Sequence, residues 1–300
     1  MTRDDRIALA CFVFGGIFAG GNVIAVRFSV RELEPLWGAG FRFLAAAVLL
    51  FAIVGVMRLE LPRGRALAGA ALYGTLNFAA AFALAYYGLT HIHGGLGSTL
   101  LALVPLTTLA LAVVQRQESF RMSALIGSLV ALAGVGFISG PALKEAPTLA
   151  FIALLGGVVC FAEATVLVRR LPKMHPVTMN AVGMGVAAVL LIAGSLVAGE
   201  AQVLPERTAT WLALAYVVPV GSIVVFVLFI VLLRYWSASR VAYVDVLIPF
   251  VAVGLSWWLD DEPITRGLLI GGGLILVGVY LGALRGVETQ PEQDAVTASS

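Results

Sequence analysis

The polar side chains that could do chemistry in this chain are those embedded in apolar surroundings, because 60% of its 300 residues are hydrophobic and only 12% are charged. Arg42 is the most pointed of them. It lies within the apolar run Pro35 to Met57, and an arginine inside such a run is expensive unless it is paired, hydrated or able to snorkel. It therefore requires a partner or a wet cavity. It could hold a carboxylate or phosphate, or pair with an acid as a gate. The alternative is a guanidinium satisfied by carbonyls that fixes packing. Asn22 lies in the preceding run, Ile7 to Phe28, at a depth where the two could meet.

Glu163 is the carboxylate set deepest within a predicted span. Facing a cavity, it could take up a proton or a cation; facing a neighbour, it would be an acid hydrogen-bonded between helices. Asp245 falls about one and a half turns from the start of its span, so a helix-end role beside Arg240 competes with a role in binding. Tyr73 and Asn77, at i and i+4, share a helical face, with Phe78 beside them and Tyr86 further along. Tyr216 stands near the corresponding place in a later span. Such a face could line a cavity, although core packing explains any single tyrosine as well. Tyr243 joins this candidate binding set. Trp37, near a span end, could anchor at the interface or close a cavity mouth, and Trp211, Trp236, Trp257 and Trp258 read mainly as anchors. His91 and His93 lack a third ligand at a useful spacing, and Cys11 and Cys160 read as small core residues. No metal or other cofactor is expected.

Positioning these groups requires helices that cross a bilayer. Mean hydropathy is +1.00, and about 20 apolar residues are needed to span the roughly 30 Å of hydrocarbon. Ten runs meet that need: Ile7 to Phe28, Pro35 to Met57, Ala66 to Gly88, Gly95 to Gln115, Arg121 to Gly140, Leu149 to Val168, Pro176 to Gly199, Ala209 to Leu233, Arg240 to Leu259 and Arg266 to Leu284. The first follows Arg3 and Arg6 like a signal peptide, but its length and the lack of a cleavage site favour an uncleaved span. After Leu284 the chain turns polar and reads as a disordered tail. A net charge of +2, with arginines dispersed between apolar runs, gives no reason to expect a nucleic-acid partner.

The ten runs form two sets of five. At an offset of 144, Pro105, Glu118, Gly127 and Gly134 fall on Pro249, Glu262, Gly271 and Gly278; at 141, Asn22 falls on Glu163 and Pro35 on Pro176. An odd number of spans per copy makes the repeat inverted. Of the 19 Lys and Arg residues, 13 flank spans on the side of the N-terminus and five on the other, with Arg42 inside a span. The positive-inside bias then puts both termini in the cytoplasm. The expected organisation is a first five-helix repeat over 1–147, a second, inverted one over 148–286, and a tail over 287–300. Glu118 and Glu262 would face opposite sides as helix-end markers near Arg121 and Arg266. Gly136 and Gly140, with Gly267, Gly271, Gly278 and Gly282, permit close helix contacts. Pro105, Pro219 and Pro249 are expected to bend their helices.

Pro35 followed by Phe41-Arg42-Phe43, the Pro105 to Glu118 span-end pattern, Gly127 with Gly134-Val135-Gly136, and the second Pro249 to Glu262 and Gly271 to Gly278 copy together resemble EamA-type members of the drug/metabolite transporter superfamily. The likeness covers nearly the whole chain and is nearest to the YddG-like exporters of aromatic and neutral amino acids. One departure is Phe18-Ala19-Gly20-Gly21-Asn22, where similar proteins often carry Trp-Gly ahead of the Asn. The resemblance implies spans one to four and six to nine around a central cavity, with five and ten at the periphery.

The expected protein is an all-α, multi-pass bacterial inner-membrane transporter, not an enzyme, that exports small amphipathic metabolites such as amino acids by alternating access. Inverted repeats and proline-bent helices suit a carrier. Its expected partners are the small-molecule substrate and the lipid bilayer, with coupling to protons, Glu163 foremost, and a monomeric or weakly dimeric state. An integral-membrane enzyme on lipid or isoprenoid would want clustered Asp, His or Ser, and a channel would want a ring of like charges.

Overall fold

The computed structural model describes residues 3–29, 32–91, 103–139, 148–248, 251 and 266–284. Every regular element among them is helical. The chain runs through α1 (Arg3–Ser29), α2 (Pro35–Val56), α3 (Arg65–Gly74), α4 (Ala81–His91), α5 (Val104–Val114), α6 (Met122–Ser139), α7 (Thr148–Val168), α8 (Pro176–Ala198), α9 (Thr208–Tyr216), α10 (Val225–Leu232), α11 (Ala238–Val241) and α12 (Arg266–Val279). Wider π-helical turns follow three of them: π1 (Thr75–Ala80) joins α3 to α4, π2 (Val217–Val224) joins α9 to α10, and π3 (Tyr280–Leu284) extends α12. Five stretches are long and apolar enough to cross a bilayer by length and composition: Pro35–Val56, Arg65–Gly88, Thr148–Val168, Pro176–Ala198 and Thr208–Leu232. Their outward surfaces carry exposed Leu, Val, Ile and Phe, as a lipid-facing surface requires.

Local sequence explains where the helices start and stop. Pro35, Pro105 and Pro176 each occupy a first turn, where the missing N–H costs nothing. Pro105 stands in the first turn of α5; residues 92–102, the earlier half of its span, lie outside the described residues, as does Pro249. α8 ends at Gly199, whose φ of 73° is the left-handed cap that glycine adopts without strain. Pro219 lies inside π2, where its missing N–H and its ring disfavour the regular α ladder. π1 contains no proline.

The packing joins early helices to late ones. α2 lies along α8, α4 along α7, and α6 along α12, while α1 crosses α9, π2 and α10. Glycine sets the closest approaches. A Cβ on Gly74 would stand 2.2 Å from the carbonyl oxygen of Gly183, so α3 and α8 touch backbone to backbone. Gly127 and Gly134 of α6 meet Gly278, Gly282 and Gly271 of the α12–π3 segment in the same way. Gly271, Gly278 and Gly282 thus make the close contact expected of them, but from α6 it is Gly127 and Gly134 that meet them: a Cβ on Gly136 would have nothing within 4 Å, because that position faces away from α12, and Gly140 lies outside the described residues.

Both ends of the bundle are tied across the sequence. At one end the Glu200 carboxylate accepts the N–H groups of Leu36, at 3.1 Å, and Trp37, at 2.8 Å, and so caps α2 from the end of α8. Glu32 answers from before α2: its Oε1 accepts the N–H groups of Glu206 and Arg207 at the start of α9. The Thr210 hydroxyl and then these backbone donors hold the Glu32 carboxyl below the usual carboxylate range. At the other end Glu118 accepts from the Ser239 N–H at 3.1 Å and from its hydroxyl, and lies 3.8 Å from Arg121, whose Nη2 donates to the same hydroxyl. The expected pairing of Glu118 with Arg121 is thus present, with Ser239 as a third member. Glu262 and the opening of the second copy fall outside the described residues.

Candidate functional site

The site is built where α1 and α2 meet π2. Arg42 points inward from α2, only 2% exposed, and its Nε donates to Ser222 Oγ at 2.9 Å. That hydroxyl is itself fixed by donating to the Val217 carbonyl at 3.0 Å, a contact spanning five residues that the wider π turn makes available. The guanidinium lies over the rings of Phe43, at 4.8 Å, and Phe82, at 5.2 Å, with Tyr86 close enough to interact with its charge. Both terminal nitrogens, Nη1 and Nη2, are buried and without a hydrogen-bond partner. Of the five N–H donors of the guanidinium, the one on Nε therefore has a fixed acceptor and the four on Nη1 and Nη2 have none.

Asn22 reaches the same turn from α1. A Cβ on Gly221 would lie 2.0 Å from Asn22 Oδ1, so the amide sits directly on that glycine, next in sequence to Arg42's anchor. Its Oδ1 is buried and unpartnered too. Adjacent Cα atoms are about 3.8 Å apart, so an acceptor and a pair of charged donors converge on one step of backbone. Tyr216 supports the arrangement from behind. Its hydroxyl donates to the Phe18 carbonyl at 3.2 Å and rests against Gly21, where a Cβ would be 2.5 Å away.

Aromatic rings continue from Arg42 into the bundle. Phe43 packs on Phe78 at 5.1 Å and edge-on against Phe82 at 5.1 Å, Phe82 neighbours Tyr86 at 6.2 Å, and Phe78 meets Phe226 at 4.6 Å and Tyr73 at 5.5 Å. Tyr73, Asn77 and Phe78 are fully buried, and the Tyr73 hydroxyl and both amide atoms of Asn77 have no partner. They extend the wall behind Phe43 toward α8, where Tyr73 and Phe78 flank Gly183.

Four other candidates lie elsewhere. Glu163 accepts a hydrogen bond from Gln115 Nε2 at 2.6 Å, at the end of α5, beside Gln117, which donates to the Val166 carbonyl at 3.1 Å. Trp37 is tied by its indole N–H to the Val203 carbonyl at 2.7 Å. Tyr243 turns to the peripheral α6–α12 pair: its hydroxyl donates to the Ala124 carbonyl at 2.7 Å, lies 2.9 Å from Ser128 Oγ, and fills the space over Gly282. Asp245 is buried apart from the Arg42 contacts. The side chains of His91 and His93 are outside the described residues, and no metal-binding group of three or more ligands occurs among the described residues.

Sequence reading missed Ser222, Gly221 and Phe82. Their signal was faint: Gly-Ser two residues after Pro219 is compatible with a helix irregularity, but its pairing with Arg42, 180 residues earlier, is a tertiary fact.

A bundle of apolar helices, five of them long enough to cross a bilayer, is the form of a multi-pass membrane protein. The EamA-like transporter family model matches residues 6–140 and again 148–283, and the chain belongs to that family. Curated relatives agree. The chain is 30% identical over 282 residues, 91% of its length and 90% of the relative's, to the uncharacterized inner membrane transporter YedA of Escherichia coli strain K12. It is 26% identical, covering 94% and 95% of the two chains, to a probable amino-acid metabolite efflux pump of the same organism. It is 28% identical, covering 80% and 81%, to a probable terminal-alkyne amino-acid exporter of Streptantibioticus cattleyicolor. A solved crystal structure superposes with a TM-score of 0.80 over 94% of this chain and 99% of the other; at 16% identity that likeness concerns the fold alone. The chain is a multi-pass inner-membrane protein of a transporter family.

Proposed function

We propose that this protein is a secondary transporter that exports small amphipathic metabolites, amino acids foremost, by alternating access. The observation that carries the reading is the juxtaposition on π2 of two vacant Arg42 nitrogens with the vacant Oδ1 of Asn22. The guanidinium matches a carboxylate bidentately, the amide oxygen matches an ammonium, and the Phe43, Phe82 and Tyr86 wall suits an apolar or aromatic side chain. A zwitterionic amino acid has these three parts. The names of relatives as efflux pump and exporter are consistent with this cargo.

The proposed architecture is ten spans in two inverted five-helix repeats, 1–147 and 148–286, with both termini cytoplasmic and the 287–300 tail beyond. The reciprocal pattern of contacts supports it: α2 packs on π2 while α8 packs on π1, and Glu200 caps α2 while Glu32 caps the start of α9. Alternating access would exchange the ties at one end of the bundle for those at the other. The test is counterflow of radiolabelled phenylalanine, threonine and methionine in proteoliposomes. Saturable exchange above empty vesicles is expected, and its absence for all three amino acids would rule out this cargo. Non-saturable flux without counterflow would indicate a channel.

A further inference from the structure

Asp245 takes no part in the Arg42 site, yet it is a buried acid with an unpartnered oxygen. It is 9% exposed, and its Oδ2 is buried without a partner among the described residues. Its direction follows from its neighbours on the helical stretch 243–248. Tyr243 points to the α6–α12 pair. Val244 and Leu247 touch α1, where a Cβ on Gly15 or Gly16 would meet them at 3.9 and 3.1 Å. Ala242 packs with Val104 of α5 and Val158 of α7. At about 100° per residue, Asp245 stands roughly opposite Tyr243, between the α1 side and the α5–α7 side, and so faces the interior of the bundle.

The titratable groups on the elements around it are accounted for. α1 carries Arg3, Asp4, Asp5 and Arg6 in its first turns, Cys11, and near its far end Arg27, whose side chain is outside the described residues; α7 carries Cys160 and Glu163; α5 carries none; Arg121 precedes α6 and Arg266 begins α12. Among the described residues none of them forms an ion pair or hydrogen bond with Asp245. Glu163 has Gln115, and Arg240 is drawn to Glu118 and Asp5 and repelled by Arg121. An enclosed carboxylate charge with no cation is costly, and a bound proton removes the cost.

We propose that Asp245 is the proton-binding residue that couples export to proton entry. Its carboxyl carries the proton while enclosed and gives it up where helix rearrangement brings it to water, so one O–H bond is made and broken per cycle. The proposal rests on the export reading and adds its driving ion. Two fluxes separate them in proteoliposomes: phenylalanine exchange at equal pH, and phenylalanine accumulation driven by an imposed pH gradient. Wild type is expected to show both. Asp245→Asn is expected to keep exchange within about twofold and to lose the response to the gradient. Wild-type exchange without a gradient response overturns the proposal and leaves export standing; absent wild-type exchange overturns both. A folded Asp245→Asn that still responds to the gradient, or has also lost exchange, overturns the coupling role. If that variant does not fold, Asp245→Glu carries the test: it is expected to move the pH midpoint of gradient-driven flux while leaving exchange intact, and an unmoved midpoint overturns the assignment.

Discussion

At the residue scale, the proposed recognition of cargo turns on whether two side chains on different helices present complementary vacant atoms at one step of π2. Gly221 is the most exacting position, because any side chain there collides with Asn22 Oδ1. Gly221→Ala is expected to displace the Asn22 amide and to raise the KM for phenylalanine counterflow about tenfold, the loss of one hydrogen bond of roughly 1.4 kcal/mol. Unchanged KM would show that Asn22 does not touch cargo. Ser222→Ala frees Arg42 Nε and leaves the guanidinium a buried group short of an acceptor; reduced transport at undiminished protein yield is expected. Asn22 and Arg42 were legible in the sequence because polar groups in apolar runs are costly enough to need a reason. Ser222 was not, since a serine in a span can satisfy itself on its own backbone, and nothing local marks one that also holds an arginine.

At the element scale, five of the expected runs coincide with helical stretches long and apolar enough to cross a bilayer, because its thickness imposes their length, and helix starts at Pro35 and Pro176 followed from proline chemistry. Two irregularities divide differently. π2 holds Pro219, a visible cause; π1 holds none and packs against α7 and α8, contacts that sequence does not display. The α3–α8 crossing gives a sharp prediction. A Cβ on Gly74 would meet the Gly183 backbone at 2.2 Å, and backbone cannot rotate away. Gly74→Ala is expected to destabilise the fold by about 1–3 kcal/mol as overpacking, read as a lower midpoint in thermal or denaturant unfolding in detergent; an unchanged midpoint would mean the helices part freely.

At the scale of the whole molecule, two carboxylates cross between distant segments at one end of the bundle, Glu200 to α2 and Glu32 to the start of α9. Glu32, with its carboxyl lowered by Thr210 and the Glu206 and Arg207 N–H groups, stabilises the folded form most at neutral pH. That contribution is present above the ordinary carboxylate value of about 4.3 and fades as pH falls through the lower folded value. Glu32→Gln is therefore expected to unfold earlier than wild type at pH 7, with the difference shrinking below about pH 4. An equal difference at both pH values would show that the carboxylate charge is not what holds the tie. Glu32 and Glu200 carried no signal in the sequence, because surface-proximal acids near helix ends are common and only their reciprocity gives them meaning.

Arg42 and Asn22 are proposed to recognise together the two charged ends of an amino acid, and inhibition of phenylalanine counterflow by its truncated analogues is the decisive measurement. In wild type, 3-phenylpropionate and phenethylamine, each lacking one end, are expected to compete at least tenfold more weakly than phenylalanine. In Arg42→Ala, phenylalanine itself is expected to fall to the level of phenethylamine, because the carboxylate has lost its partner. Equal competition by all three compounds in wild type, or unchanged discrimination in Arg42→Ala, would contradict it.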